Sequence, residues 1–218
     1  MSDLLRLHFV RHGESLANEA DKAGRERPAD WDGLSERGWE QARALGRRLA
    51  EQGIEVIVAS TMRRAQETAQ GINEVLGLEI ETDPDLHELT QSDAFYGSRG
   101  DFGDTASLNW MPSAARDHAE PGAESFEQML GRVRRVRDRM EARAGDERIL
   151  LVSHYGFIHF FLGLALFDDA FGPEHLIPLW YAGHANTGIT LFERRNRRMD
   201  GIDFDGWHLT TWNDQGHL

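Results

Sequence analysis

The chain contains no cysteine among its 218 residues. Disulfide bonds, thiolate nucleophiles and cysteine-ligated metal sites are therefore excluded, although this absence does not fix the compartment. Cations are also in short supply, because 24 lysines and arginines stand against 37 aspartates and glutamates, a formal net charge of −13. Most of such a surface repels nucleic acid and anionic membranes. The expected partner is a small molecule, and any anion-binding site must be local.

Long apolar runs are missing as well. Residues 1–10 lack a basic segment followed by a long apolar stretch, and the longest apolar stretch, near residues 157–167, is too short to cross a bilayer. We therefore expect a cytoplasmic protein without a membrane partner. No internal repeat stands out, and 40% hydrophobic and 28% charged residues are typical of a folded chain. The length favours one domain, 1–218, and the sequence carries no signal for an oligomeric state.

Short aliphatic runs alternate with helical patterns along the chain. Strands are predicted at residues 4–10, 55–59, 148–152 and 188–193, with a weaker strand at 78–82 and a further edge strand at 207–212. The spacing of apolar residues predicts helices over 35–52, 61–76 and 125–143, and a core helix within 157–167. This alternation predicts an α/β fold, a three-layer α/β/α arrangement with a mostly parallel central sheet.

The segment between the weak strand and the helix at Ser125 has no sustained periodicity and is too long for a plain connection. Its aromatic residues, Phe95, Tyr96, Phe102 and Trp110, favour partial packing. We interpret residues from about 84 to 124 as an inserted cap. These aromatic rings suit a ring-bearing or apolar leaving group as well as they suit a small core of the cap itself.

Cationic and imidazole side chains follow three of the predicted strands. The residues at these strand ends are Arg11 and His12, then Ser60 and Arg63, then Ser153, His154 and Gly156. Ligands of parallel α/β sheets bind beyond the carboxyl ends of the strands. Each residue alone is more often structural, but two arginines and two histidines at equivalent ends favour a phosphate site. Arginine matches phosphate oxygens, and a neutral histidine can attack phosphorus.

The motifs that contain these residues resemble those of the histidine phosphatase superfamily, in particular its phosphoglycerate-mutase-like branch. The similar motifs are Arg11-His12-Gly13-Glu14-Ser15, Asn18, Leu34-Ser35-Glu36-Arg37-Gly38, Ser60-Thr61-Met62-Arg63-Arg64-Ala65, Gly122-Ala123-Glu124-Ser125, Val152-Ser153-His154-Tyr155-Gly156 and Asn186-Thr187-Gly188. Together they cover most of the chain, and their order is far more specific than the first motif alone.

The resemblance implies that His12 is the nucleophile and forms a transient phosphohistidine, with Arg11, Arg63 and His154 around the transferred phosphoryl group. Fixed cations can stabilise the charge of that group, so no metal ion or other cofactor is expected. The family takes its proton donor from a carboxylate after the third strand, which corresponds to Glu88. Asp85 and Asp93 are competing candidates for that role.

Three further residues are predicted to bind phosphate or substrate. Ser15 and Asn18 are predicted donors at the rim of the pocket, with capping of the loop as the alternative. Tyr155 is the third, and it stands where a glycine is common in the family.

Hydrolysis and phosphoryl transfer to a second substrate share this set of strand-end residues. The segment after the third strand reads Glu88-Leu89-Thr90-Gln91-Ser92, which differs from the Glu-Arg-His-Tyr-Gly segment of the family's mutases, and the cap supplies only Arg99 and Arg116 as full cations. We therefore predict a metal-independent phosphomonoester hydrolase for a small-molecule phosphate. A cofactor-dependent phosphoglycerate mutase is the first alternative, and a non-catalytic phospholigand-binding protein is the second.

Overall fold

The structure is a computed structural model that describes residues 4–91, 116–143, 148–199 and 201–218. Of the predicted cap it therefore describes residues 84–91 and 116–124. Several predicted features of the cap lie outside the described residues, namely Asp93, Arg99 and the aromatic residues Phe95, Tyr96, Phe102 and Trp110.

The described residues form a six-stranded sheet. Its strands are β1 (Leu5–Arg11), β2 (Val56–Ala59), β3 (Ile80–Thr82), β4 (Arg148–Ser153), β5 (Ile189–Met199) and β6 (Ile202–Asp214). Their order across the sheet is β3-β2-β4-β1-β5-β6. The first four run parallel, whereas β5 is antiparallel to β1 and β6 to β5. The predicted α/β class with a mostly parallel sheet is confirmed.

Helices flank this sheet. They are α1 (Leu16–Lys22), α2 (Glu36–Leu49), α3 (Arg63–Leu76), α4 (Phe126–Glu141), α5 (Tyr155–Phe167) and α6 (Leu176–Trp180). Single-turn 3-10 helices lie at Pro84–Leu86, Asp168–Ala170 and Pro173–His175. Helices α2 to α5 agree with the predicted positions to within a few residues. Helices α1 and α6 are new, because 7 and 5 residues are too few to show an apolar period.

The hydrophobic core occupies both faces of the sheet. On one face, apolar residues of α4 and α5 such as Phe126 and Phe161 pack against Phe9 of β1. On the other face, residues of α2 and α3 such as Leu45 and Ile72 pack against the sheet. Because β1, β2 and β4 run parallel to one another, their carboxyl ends lie at the same edge of the sheet. No helix in the described part of the chain is long and apolar enough to cross a membrane.

Five buried histidines make this fold sensitive to acid. Burial lowers the pKa of His8 and of His159 to about 4 and that of His184 to about 3. The pKa values of His12 and His154 are lowered well below 6.5 by the same cause. Below pH 6.5 the unfolded chain therefore binds more protons than the folded chain, so stability that is present above pH 6.5 is lost as the pH falls toward 4.

We expect the free energy of unfolding in urea to fall between pH 7 and pH 5, by up to about 2 kcal/mol for each histidine whose folded pKa is near 4. His8→Leu should flatten this profile, because it removes a buried imidazole whose pKa is lowered to about 4 in the folded chain. A stability that does not change over this pH range would contradict the assignment of neutral buried imidazoles.

Candidate active site

The loop after β1 is fixed against α2 and α3. The Gly13 N–H donates to Thr68 Oγ1 at 2.9 Å, and the Glu14 N–H donates to Gln41 Oε1 at 2.9 Å. A Cβ atom on Gly13 would lie only 2.7 Å from the carbonyl oxygen of Gly38, so glycine is required by this close approach. The backbone that carries Arg11 and His12 is therefore held in one position before any ligand arrives.

His12 directly follows β1 and is 4% exposed. It lies in the wall of an open pocket. Its Nδ1 atom is 2.7 Å from the carbonyl oxygen of Gly13. A carbonyl oxygen only accepts hydrogen bonds, so Nδ1 carries the hydrogen and Nε2 keeps its lone pair. Burial, together with the charges of Arg64 and Arg11, lowers the pKa of His12 well below 6.5. The imidazole is therefore neutral near pH 7, as a nucleophile requires.

His154 follows β4, and its ring centroid lies 5.2 Å from that of His12. The side chain is fully buried, and burial, aided by the charge of Arg64, lowers its pKa well below 6.5. Its Nε2 atom is 2.9 Å from Ser60 Oγ, which accepts a hydrogen bond from the Met62 N–H at 3.3 Å. The Ser60 hydroxyl can donate to Nε2, and in that tautomer the hydrogen is on Nδ1, for which no described residue is a partner.

The arginine of the second strand end is Arg64 and not the predicted Arg63. Arg63 is exposed and donates from Nε to Glu67 Oε1 at 2.6 Å. Arg64 is 7% exposed and lines the pocket. Successive residues of a helix point about 100° apart, so one of two adjacent arginines faces the pocket. Helical spacing could have distinguished them, because Arg64 shares the buried stripe of Thr68 and Ile72.

Arg11 is held by its surroundings as firmly as the loop is. Its Nη1 donates to the carbonyl oxygen of His184 at 2.6 Å, and its guanidinium lies 5.2 Å from the centre of the Tyr155 ring. The Tyr155 hydroxyl in turn donates to the carbonyl oxygen of Trp180 at 2.6 Å. Tyr155, predicted to bind substrate, therefore packs against the guanidinium of Arg11 and is not among the residues that line the pocket.

Arg64 is oriented by a carboxylate and an indole ring. Its Nη1 pairs with Asp32, and its guanidinium lies 5.8 Å from the centre of the Trp31 ring. Neither Asp32 nor Trp31 was predicted, because both lie in the irregular connection between α1 and α2. The guanidinium groups of Arg11 and Arg64 are thus held in place by different parts of the chain.

Glu88 stands in the pocket wall, just after the single-turn helix at Pro84–Leu86. Its Oε1 atom accepts hydrogen bonds from the N–H groups of Leu89 at 2.8 Å and Gly156 at 2.9 Å. A Cβ atom on Gly156 would lie 2.6 Å from this oxygen, so glycine is needed for the contact. Both backbone donors reach Oε1, so Oε2 is the oxygen that these bonds leave available to the pocket.

Asp85, the competing candidate for the proton donor, is engaged elsewhere. Its carboxylate pairs with Arg135 and with Arg139, each at 2.8 Å. The hydrogen bond from Arg135 is the main cause that lowers its pKa below the ordinary value. Asp85 is not among the residues that line the pocket. Of the two candidates that the structure describes, only Glu88 reaches the site.

Ser15 and Asn18 form the N-terminal cap of α1. Ser15 Oγ accepts from the Asn18 N–H at 3.1 Å, and Asn18 Oδ1 accepts from the Ser15 N–H at 3.3 Å. The capping alternative is therefore confirmed, while both residues also line the pocket. Asn186, whose role was not predicted, donates to the His12 carbonyl oxygen at 3.0 Å and to Asn18 Oδ1 at 3.2 Å.

The pocket brings these elements together. Its described lining consists of Arg11, His12, Ser15, Ala17, Asn18, Asp21, Arg27, Trp31, Arg64, Glu88, Leu89, Gln91 and Trp180. His154 lies next to His12 but is fully buried. Sequence reasoning missed the members from the α1–α2 connection and from α6, since those segments carry no periodic pattern. At its inner end the pocket brings together the imidazole of His12, the guanidinium groups of Arg11 and Arg64 and the carboxyl group of Glu88, which are the kinds of group that phosphoryl transfer needs.

An α/β fold with a site of this kind is typical of proteins that bind phosphate groups, and comparison with known proteins identifies the family. Residues 7–215 match the model of the histidine phosphatase superfamily (branch 1), and the chain belongs to that superfamily. The chain is also similar to the native structure of mycobacterial glucosyl-3-phosphoglycerate phosphatase, with a TM-score of 0.70 and 27% identity, covering 96% of this chain and 99% of that one.

Relatives of known sequence carry both phosphatase and mutase names. The chain is 35% identical to Bifunctional protein Rv2228c of Mycobacterium tuberculosis over 74% of this chain and 44% of that protein. It thus spans less than half the length of that relative. It is 30% identical to Putative phosphoserine phosphatase 2 of Hydrogenobacter thermophilus, covering 85% of this chain and 87% of that protein. It is 28% identical to Probable phosphoglycerate mutase GpmB of Yersinia pestis, covering 99% and 95%.

The family and its phosphatase-named members support a phosphatase, and the mutase alternative is not favoured. Within the described pocket lining, the cations are Arg11, Arg64 and Arg27. Arg116, one of the two cap cations, is engaged elsewhere, with Glu127 at 2.8 Å and with the carbonyl oxygen of Phe171 at 2.8 Å.

Proposed function

We propose that this chain hydrolyses small-molecule phosphomonoesters in two steps through a phosphohistidine on His12, without a metal ion. The observation that carries the proposal is the state of His12, which is neutral and buried, has its hydrogen on Nδ1 and its lone pair on Nε2, and lies in the same pocket as Arg11, Arg64 and Glu88. A cytoplasmic location stays a prediction from the sequence.

In the first step, the lone pair of His12 Nε2 attacks phosphorus and the bond from phosphorus to the ester oxygen breaks. Arg11 and Arg64 bind the equatorial oxygens of the transferred group and balance their charge. The proton of the protonated Glu88 carboxyl moves to the departing oxygen, so the leaving group departs as a neutral alcohol. The products of this step are the alcohol, phosphohistidine and the Glu88 carboxylate.

In the second step, a water molecule takes the place of the alcohol. The Glu88 carboxylate accepts a proton from this water as the oxygen attacks phosphorus, and the bond to His12 Nε2 breaks. Inorganic phosphate is released, His12 returns to its neutral form and Glu88 is protonated again. Each group ends in its starting state.

His154 acts in both steps as a hydrogen-bond donor. In the tautomer that this role requires, the Ser60 hydroxyl donates to Nε2 and the hydrogen of the neutral ring is on Nδ1, from which it donates to an oxygen of the transferred group. A neutral donor adds no charge beside His12. The lowered pKa of His154 therefore suits the role, because a charged imidazole next to His12 would disfavour formation of the phosphorylated imidazole.

The adjacent arginines offer a matched pair of variants. Arg64→Ala is expected to reduce kcat/KM for an aryl phosphate by about 100-fold or more, since it removes a fixed cation from the transferred group. Arg63→Ala removes an equal charge one residue away and should change kcat/KM less than about threefold, because exposed ion pairs contribute little. Steady-state kinetics of both variants decide the matter. A larger loss for Arg63→Ala than for Arg64→Ala would contradict the assignment.

The proposed function is tested by incubating the purified chain with p-nitrophenyl phosphate in the presence of EDTA. We expect release of p-nitrophenol and inorganic phosphate at a rate that added Mg²⁺ does not raise. Tight binding of phosphate without turnover would favour the non-catalytic alternative. A rate that depends on added divalent metal would contradict the metal-free mechanism.

A further inference from the structure

We infer that the outer part of the pocket accepts an uncharged, hydroxyl-bearing ring as the leaving group, and that Asp21, Arg27 and Trp180 select it against acidic leaving groups. This substrate class rests on the proposed phosphatase function. Two observations support the inference: the ion pair between Asp21 and Arg27 at the rim of the pocket, and the position of the Trp180 indole ring.

The pocket has an inner and an outer part that differ in burial. His12 and Arg64 are 4% and 7% exposed and form the inner, phosphate-binding part. The outer lining, made by Asp21, Arg27 and Trp180, is partly or fully exposed. Every phosphomonoester would place the same phosphate group in the inner part, so discrimination between substrates has to come from the outer part.

The rim cation is already neutralised. Arg27 donates from Nε to Asp21 Oδ1 at 2.9 Å and from Nη2 to Asp21 Oδ2 at 2.8 Å. This bidentate pair uses both oxygens of the Asp21 carboxylate and two N–H groups of the Arg27 guanidinium. A leaving group with its own carboxylate or second phosphate would meet Asp21 as well as Arg27, and no other cation is present among the described outer residues of the lining.

A hydroxyl group fits this pair better than an anion does. Hydroxyls donate as well as accept, so neighbouring hydroxyls can bond the carboxylate oxygens and the remaining guanidinium N–H groups together. No charge has to be brought into a protein whose formal net charge is −13. The pair therefore rejects acids and accepts neutral polyhydroxyl compounds.

The indole of Trp180 lies beside the proposed proton donor. Measured from the position of a Cβ atom on Gly156, the Trp180 Cη2 atom is 3.5 Å away and the Glu88 Oε1 atom is 2.6 Å away. The Trp180 ring and the Glu88 carboxyl group therefore both approach Gly156 of α5, and the leaving group is placed between this ring and the rim pair of Asp21 and Arg27. The ring is also held in place, since it meets Tyr155 edge-on with centroids 4.9 Å apart. A fixed aromatic surface suits the C–H face of a sugar or another ring.

The test compares kcat/KM for glucose 6-phosphate and 3-phosphoglycerate, each divided by kcat/KM for p-nitrophenyl phosphate in the same variant. Wild type should prefer glucose 6-phosphate. Asp21→Asn exposes the charge of Arg27 and should shift the ratio toward 3-phosphoglycerate by about tenfold. Arg27→Gln leaves Asp21 unpaired and should shift the ratio further toward glucose 6-phosphate.

Glu19→Gln is the matched control. Glu19 lies on α1, as Asp21 does, pairs at 3.2 Å with Arg25, six residues further along the chain, and does not line the pocket. This variant should leave the substrate ratio unchanged. A wild type that prefers 3-phosphoglycerate, or a ratio that moves equally in Asp21→Asn and Glu19→Gln, would overturn the inference. A wild type that hydrolyses no p-nitrophenyl phosphate would instead overturn the phosphatase function on which the inference rests.

Discussion

His12→Ala is expected to abolish phosphomonoester hydrolysis, with a loss in kcat of at least about 10⁴-fold for p-nitrophenyl phosphate. Removal of a nucleophile leaves only positioning and charge stabilisation, which cannot replace a covalent step. The fold should survive, because Thr68, Gln41 and the close contact with Gly38 still hold the loop backbone when the imidazole is removed. Steady-state kinetics combined with circular dichroism measure both effects.

His8→Leu is the control for this variant. His8 lies in β1, four residues before His12, and its imidazole is also buried, with 5% of the residue exposed. It does not line the pocket. The kcat of His8→Leu should stay within about twofold of wild type. Hydrolysis by His12→Ala within tenfold of wild type would contradict the role of His12.

Glu88→Gln is expected to slow hydrolysis according to the leaving group. An alkyl phosphate such as glucose 6-phosphate releases a poor leaving group that needs a proton, so its kcat should fall by about 10³-fold. The p-nitrophenolate ion leaves without a proton, so the loss in its release step should be about tenfold or less. The amide oxygen of glutamine can still accept from the N–H groups of Leu89 and Gly156, which keeps the side chain in place.

Single-turnover kinetics on both substrates isolate this first step from the hydrolysis of phosphohistidine. Asp85→Asn is the control, since its carboxylate pairs with Arg135 and Arg139 and lies off the pocket. Equal losses on the two substrates in Glu88→Gln would show that Glu88 does not protonate the leaving group. A larger effect in Asp85→Asn would return the role to Asp85.

The sheet, and the edge of it that carries the site, can be predicted from the sequence because both depend on patterns within short segments of the chain. Buried strands and long amphipathic helices repeat their apolar residues along the chain, so β1, β4 and helices α2 to α5 lie close to their predicted positions. The strand-end rule then brings Arg11, His12 and His154 to one edge. The structure confirms this convergence, with the two imidazole rings 5.2 Å apart.

The side chains that the sequence misplaces or misses depend on orientation and on irregular backbone. Arg63 and Arg64 are equivalent in a motif but point in different directions once α3 forms. Short helices show too few turns for a period, which is why Trp180 at the end of α6 was missed. The contact of Asp21 with Arg27 comes from the path of the chain after α1, which no local pattern specifies.

Glu88 is an intermediate case. Its place after the third strand was assigned by family resemblance, and physical reasoning from the sequence alone left Asp85 open. The structure distinguishes the two by their partners, since backbone N–H groups hold Glu88 in the pocket wall and two arginines hold Asp85 elsewhere. The catalytic role of Glu88 itself stays a prediction.

Covalent transfer to His12 is tested most directly by acid–base stability and peptide mapping of the phosphorylated enzyme. The chain is mixed with a ³²P-labelled aryl phosphate and quenched in alkali within the first turnover. We predict a label on the peptide that contains His12, stable in alkali and lost in acid, and absent from His12→Ala. A label on any other residue, or none above the His12→Ala background while the substrate is being hydrolysed, would contradict the mechanism.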